Sequence, residues 1–177
     1  MPQRVRAQVR NTSHRAEVED DATVELEWPA GARGTVIASL SEPAGLERFE
    51  LSCERGAVVL ADGYDVRIAR HDPVRQLIDE CPDEFPLQAV EWESVDVPRA
   101  KSEWLDMIAA AHREFAGAIA ERRPSAIGGE EGTKSVELAN AAYLSSWTGT
   151  AVDLPLAPGA YPPVYESLAS GHRLPGS

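Results

Sequence analysis

Only two cysteines occur in the 177 residues, Cys53 and Cys81, far apart and without a CxxC pair. That scarcity excludes a disulfide framework, and both read as free thiols. Cys53 alternates with apolar neighbours and is expected to be buried. No apolar run approaches the length of a membrane-crossing helix. The opening Met1-Pro2-Gln3-Arg4-Val5-Arg6 has none of the apolar core of a signal peptide. The expected compartment is therefore the cytoplasm, with no membrane partner. Positive charge is also short: the formal net charge is -12. A phosphate backbone needs clustered Lys and Arg, so nucleic acid is not expected as a partner. The acidic excess reads as solubility. The one local exception is the basic start, with Arg4, Arg6, Arg10 and Arg15.

What is present is an ordinary globular balance, with 43% hydrophobic and 26% charged residues. The length fits a single domain over 1–177, with 158–177 as a less ordered tail. The first two-thirds alternate with period two. Val5, Ala7 and Val9 face one way; Arg4, Arg6, Gln8 and Arg10 face the other. Ala22, Val24, Leu26 and Trp28 repeat the pattern. Pro29 to Gly34 supplies a turn, and Thr35 to Leu40 the returning strand. Phe49, Leu51 and Cys53 begin another strand, Arg55-Gly56 a tight hairpin into Ala57 to Leu60. Asp62-Gly63 is a hairpin signal leading into Val66 and Ile68. Tight turns between short strands imply antiparallel pairing. Residues 70–86, with Pro73, Pro82 and Pro86, read as a loop, although Leu77 and Ile78 allow a short helical turn. A strand over about 88–97 stops at Pro98.

The period then changes to that of a helix. Trp104, Ile108, Ala111, Phe115, Ala118 and Ile119 form a stripe expected to face the core. Ser102 is the expected N-cap, and Pro124 the stop. A second helix is expected from Thr133 to Trp147, with Val136, Ala139, Tyr143 and Trp147 inward and Gly149 just past its end. Pro162 to Ala169 fits a last short helix. Strands first and helices afterwards give an α+β domain: an open, mainly antiparallel sheet with two main helices on one face.

Few residues invite chemistry. Gly132-Thr133-Lys134-Ser135 has Thr133 where a phosphate loop needs Lys directly after Gly, and Glu130 and Glu131 would repel phosphate; a turn and helix start is expected. His14, Glu17 and Asp20 are spaced by three but lie between two strands, so a surface loop is expected rather than a metal site. His71 reads as a loop residue, His112 as partly exposed, and His172 lies near the C-terminus. None stands beside a serine or cysteine elbow. The segment Asn11-Thr12-Ser13-His14-Arg15 is the best equipped, offering amide, hydroxyl, imidazole and guanidinium groups to hydroxyl-rich or carboxylate ligands. A solvated hairpin loop is the plain alternative. Trp28, Trp92, Trp104 and Trp147 have the rings to stack a sugar, but at strand and helix period each reads first as a core residue. The candidate ligand-binding residues are Asn11, His14, Arg15 and Trp104.

Several pieces fall in a familiar order. They are Glu19 to Trp28 with Gly31-Ala32-Arg33-Gly34-Thr35; Ala44 to Leu51 with Arg55-Gly56-Ala57; Phe115 to Pro124; and Glu131 to Trp147 followed by Ala151-Val152-Asp153-Leu154-Pro155-Leu156. This ordered set resembles the C-terminal half of the Gfo/Idh/MocA family of NAD(P)-dependent sugar and inositol oxidoreductases. The resemblance implies a dihydrodipicolinate-reductase-like C-terminal fold. It also implies a homo-oligomer built through the open sheet face, and helices turned toward a dinucleotide-binding domain. NAD(P) is implied for an intact relative, and no cofactor for this chain. There is no GxGxxG turn and no Glu-Lys-Pro, and the family's Asp-x-x-x-His pair would lie ahead of this chain. His14 has Arg10 four positions before it, so the family's histidine is not carried over to it. The expectation is a substrate-side and oligomerisation domain that does not transfer hydride alone. The competing readings are a standalone binding or scaffolding subunit paired with a full-length oxidoreductase, and an enzyme with reassigned chemistry at His14 or Arg15.

Overall fold

The computed structural model describes residues 1–43, 47–61, 65–81, 90–97 and 104–170. Its elements are β1 (Arg4–Arg10), β2 (Asp21–Glu27), β3 (Arg33–Ser39), β4 (Arg48–Cys53), β5 (Gly56–Ala61), β6 (Asp65–Arg70), α1 (Val74–Glu80), β7 (Trp92–Val95), α2 (Trp104–Glu121), α3 (Gly129–Thr148), β8 (Val152–Asp153) and α4 (Pro162–Ala169). The class is α+β and, among the described residues, every strand pairing is antiparallel. The strands are divided between two four-stranded sheets rather than gathered in one. Two compact units result, one from Met1–Ser41 and Trp104 onward, the other from Glu42–Glu103.

The first unit holds the sheet β3-β2-β1-β8. The alternation in β1 is obeyed fully, with Val5, Ala7 and Val9 buried and the residues between them exposed. The register sets Val5 opposite Leu26, Ala7 opposite Val24 and Val9 opposite Ala22, which gathers the apolar side chains on one face. On the other face Arg4 stands opposite Glu27, Arg6 opposite Glu25 and Arg10 opposite Asp21. Opposite charges directly across a ladder support the register. This face is charged, not apolar.

Helix α3 covers the apolar face. Ala141 and Ala142 join Val5, Ala7 and Leu26 in the core, with Leu138, Val152, Leu154 and Leu156 packed around them. The expected inward stripe was out of phase: Val136 is 60% exposed, and Ala139 is exposed. Periodicity weighed by side-chain size favours the large residues, whereas the helix turns its small ones, Ala141, Ala142 and Ser145, to the sheet. Small residues let the backbones approach closely, and the approach is used by hydrogen bonds described below. The helix also starts earlier than expected, at Gly129, with Glu130 and Glu131 in the first turn, where carboxylates suit the helix dipole. Gly149 ends it in the left-handed region, at φ 69°, a conformation that glycine adopts without a Cβ penalty. The Leu154–Pro155 peptide bond is cis. Leu154 N–H donates to the Gln3 carbonyl, and Leu156 N–H to Glu137 Oε1.

Helix α2 departs most from expectation. Ala118 is buried, but Ile108 is 38% exposed, Phe115 58% and Ile119 65%. Its stripe is apolar and largely uncovered. The side chain of Trp104, and the expected cap at Ser102, lie outside the described residues.

The second unit holds the sheet β4-β5-β6-β7. Phe49, Leu60, Val66 and Val95 share one face with Leu51, Val58 and Ile68. Phe49 and Leu51 are exposed, and the rest half-buried. Cys53 is exposed rather than buried, because β4 is an edge strand with all six residues exposed. The β4–β5 loop is Glu54-Arg55, one residue earlier than read, since Cys53 pairs with Gly56. A Cβ at Gly56 would stand 2.3 Å from the Ala69 carbonyl oxygen. Gly56→Ala is therefore expected to destabilise by about 1–2 kcal/mol, because the hairpin end must splay; urea unfolding measures it. The Asp62-Gly63 turn lies outside the described residues.

Residues 74–80 form α1 where a loop was expected. The reason is tertiary: Glu54, from the hairpin, accepts the Val74 and Arg75 N–H groups through its carbonyl and carboxylate. Two donors that a short helix leaves open are thereby satisfied.

Candidate ligand-binding loop

The loop 11–20 joins β1 to β2 in the first unit and is built around Asp20. Asp20 is 4% exposed. Its Oδ1 accepts from Thr12 N–H at 2.7 Å and Thr12 Oγ1 at 3.0 Å. Its Oδ2 accepts from Ser13 N–H at 2.9 Å, His14 N–H at 2.7 Å and the His14 ring at Nδ1, 2.9 Å. The Thr12 N–H, with those of His14 and Ser13 and the His14 ring, holds the Asp20 carboxyl well below the usual range despite the cost of burial. Successive backbone N–H groups converging on one carboxylate form an anion nest, here filled from within the chain. Asp20 also ties the loop to the sheet: its N–H donates to the Arg10 carbonyl, and its carbonyl accepts from Leu40.

The structure thus sorts the candidate residues. The Asn11 amide donates to the Ala16 and Val18 carbonyls, each at 2.7 Å. It is engaged in holding the loop. The His14 side chain is 52% exposed, and Arg15 is exposed. Both remain presented to solvent. Trp104 is the first residue of α2 in the same unit. In the sequence Asp20 stands out by its spacing from His14 and as part of the Glu19 to Trp28 piece. The available signal was its place at the start of a strand after an Asn-Thr-Ser run, where a short carboxylate bonds nearby N–H groups. Among the described residues, no group of three His, Cys, Asp or Glu side chains is placed to hold a metal ion.

Beside the loop, α3 closes the edge of β1. β8 pairs only with Arg4 and Val5. Farther along, Ala7 N–H donates to Ser145 Oγ at 3.0 Å and Val9 N–H to Ser146 Oγ at 2.9 Å. Two hydroxyls replace the missing length of strand. A groove of about 280 Å³ follows this seam, lined by Arg6, Gln8, Arg10, Ser146 and Gly149 among others.

The α2–α3 connection is pinned by Glu114, which accepts from Ala126 N–H, Arg123 and Ser125 Oγ. The Ala126 N–H first, then these two side chains, bring its pKa down to about 2 from 4.5. A lowered folded-state pKa stabilises above the unfolded value and fades as pH falls through the folded one. Thermal melts should therefore lose stability between pH 4.5 and about 2. Glu114→Gln should make that fall shallower.

In the second unit Trp92, 45% exposed, borders a depression of about 420 Å³ with Ile68, Arg70, Glu91 and Glu93. Arg70 pairs there with Glu93 at 3.2 Å. Trp28 packs against the core, and Trp147 is half-buried. The His71 and His112 rings bond backbone carbonyls. His172 lies outside the described residues. Gly132 to Ser135 lies within α3, so no phosphate loop forms there.

Residues 1–59 match the family model described as the GFO/IDH/MocA C-terminal domain. Among curated proteins none matches the chain. Among solved structures, an oxidoreductase from Agrobacterium radiobacter, in complex with NAD+, L-tartaric acid and magnesium, superposes with a TM-score of 0.65 at 18% identity. It takes 86% of this chain and 43% of its own. An aldose-aldose oxidoreductase from Caulobacter crescentus, complexed with glycerol, gives 0.63 at 19%, covering 86% and 41%. An oxidoreductase described as putative, from Klebsiella pneumoniae, gives 0.64 at 16%, covering 98% and 48%. The chain spans less than half the length of each. At these identities the likeness is one of fold. Among the described residues no helix is long and apolar enough to cross a membrane.

Proposed function

We propose, for a chain that has the GFO/IDH/MocA C-terminal domain fold and that family's signature over residues 1–59, the role of substrate-side and oligomer-forming part of an NAD(P)-dependent sugar oxidoreductase. The carrying observation is the coverage: most of this chain falls on less than half of each relative. Hydride transfer needs a bound nicotinamide and a positioned proton donor or acceptor. This sequence has no GxGxxG turn and no Glu-Lys-Pro, so the chain alone does not run the reaction. His14 and Arg15 are the loop groups offered to a hydroxyl-rich ligand. Trp104, the aromatic candidate read from the sequence, is the first residue of α2.

The apolar face of the second sheet, with Phe49 and Leu51 exposed, supports self-association, because bare apolar patches of this kind mark interfaces. A second reading, a scaffolding subunit for a full-length oxidoreductase or a separate dinucleotide-binding domain, draws on the uncovered Ile108, Phe115 and Ile119 of α2. Two exposed free thiols fit a cytoplasmic setting.

Calorimetry of the purified chain with NAD+ and NADPH tests the main reading, and no tight binding is expected. Micromolar binding would overturn it. Native mass spectrometry should give a homo-oligomer; a monomer that recruits a full-length oxidoreductase would favour the second reading.

A further inference from the structure

The proposed substrate-side loop exposes one imidazole, and the structure determines which way its chemistry faces. The His14 ring meets Asp20 through Nδ1 at 2.9 Å. Asp20 receives five hydrogen bonds, four of them from backbone N–H and hydroxyl donors. A carboxylate so surrounded is ionised, and an ionised carboxylate only accepts. Nδ1 must then carry the proton. In a neutral imidazole the other nitrogen, Nε2, holds the lone pair. Half of the ring is exposed, and Nε2 has no hydrogen bond among the described residues.

We infer that Asp20 is a positioning residue, fixing His14 in its Nδ1–H tautomer so that Nε2 is presented to solvent as a hydrogen-bond acceptor. Two further observations support this. The His14 N–H is bound by the same Oδ2 that holds its ring, so backbone and side chain of one residue are locked to one atom. The Asn11 amide, by clasping the Ala16 and Val18 carbonyls, closes the loop on its other side. Unlinked histidine favours the opposite tautomer, with the proton on Nε2, so the arrangement inverts the polarity that the ring would show to a ligand. Arg15, next in sequence and exposed, adds a donor to the acceptor at Nε2, and a neutral hydroxyl-bearing ligand can use both. Glu17 and Glu19, in the same loop, disfavour an anionic one.

The ligand part of this inference rests on the substrate-side reading; the tautomer does not. Long-range proton–nitrogen correlation spectra of the ¹⁵N-labelled chain, above the histidine titration range, report the two separately. The wild type should show a pyrrole-like Nδ1 and a pyridine-like Nε2 for His14. Asp20→Ala should return the ring to the Nε2–H tautomer. Asp20→Asn, whose amide oxygen can still accept from Nδ1, should keep the wild-type pattern even where the loop is less stable. A wild-type ring already in the Nε2–H form would overturn the inference, as would a pattern unchanged in Asp20→Ala. Glycerol and D-glucose, added in turn, then probe the ligand role. A selective shift of Nε2, abolished in Asp20→Ala, supports it. The expected tautomer without any shift keeps the positioning role and discards the hydroxyl ligand.

Discussion

Replacing Asp20 with alanine should lower the melting temperature by roughly 5–10 °C, the span expected when several buried donors in a domain of this size lose their acceptor. The carboxylate organises three consecutive N–H groups, one hydroxyl and one imidazole. The exposed pairs, such as Arg4 with Asp153 and Arg70 with Glu93, should change stability far less when broken, because solvent screens them. The effect should also depend on pH in a defined sense. Asp20 is held below its ordinary 3.8, so the stability that it lends is fully present above that value and is lost as pH falls below it. Wild type and Asp20→Ala should therefore differ most at neutral pH and converge in acid. Scanning calorimetry at stepped pH measures both. A constant difference down to strongly acidic pH would mean that the carboxylate charge is not what holds the loop.

Ser145→Ala should cost about 2–3 kcal/mol, the upper part of the range for a buried donor left without a partner. Ser145 is 1% exposed. Its hydroxyl accepts from Ala7 N–H and donates to the Thr150 carbonyl at 2.7 Å. One atom thereby joins the middle of β1 to the chain beyond α3. Chemical denaturation measures the loss, and hydrogen exchange at Ala7 localises it. Ser145→Thr, which keeps the hydroxyl, should recover part of the loss. Exchange at Ala7 unchanged from wild type in Ser145→Ala would show that the seam is held by apolar packing alone.

Much of the chain was legible as a sequence. The strict alternation of Val5, Ala7 and Val9 with arginines placed β1, because only one face of that strand can be buried. Gly149 marked the end of α3 because no other residue enters the left-handed region so readily. Pro162 to Ala169 was read to the residue as α4. The ordered pieces also placed the chain in its fold, because turns and helix ends recur where the backbone demands particular residues.

Other features were closed to local reading. Pattern alone could not phase α3, because a helix that packs tightly turns Ala141, Ala142 and Ser145 inward and leaves Val136 out. It allowed a helical turn at Leu77 and Ile78 but could not decide for α1, whose first N–H groups are accepted by Glu54 from the hairpin before it. It could not tell that Cys53 lies on an edge strand, since strand order is absent from the local sequence. Nor could it separate Asn11, which holds the loop, from His14, which the loop displays.

The sequence by itself determined the class, most of the strands and the end of α3. Each of these depends on the period of a side-chain pattern or on the φ that one residue permits, and both are local. Only the tertiary structure decided what Asp20, Ser145 and Glu114 do. Their roles depend on which donors arrive within 3 Å, and those donors come from the return of the chain on itself. The polarity of His14 belongs to the second group. An imidazole has two possible faces, and a buried carboxylate six residues along the chain selects one of them.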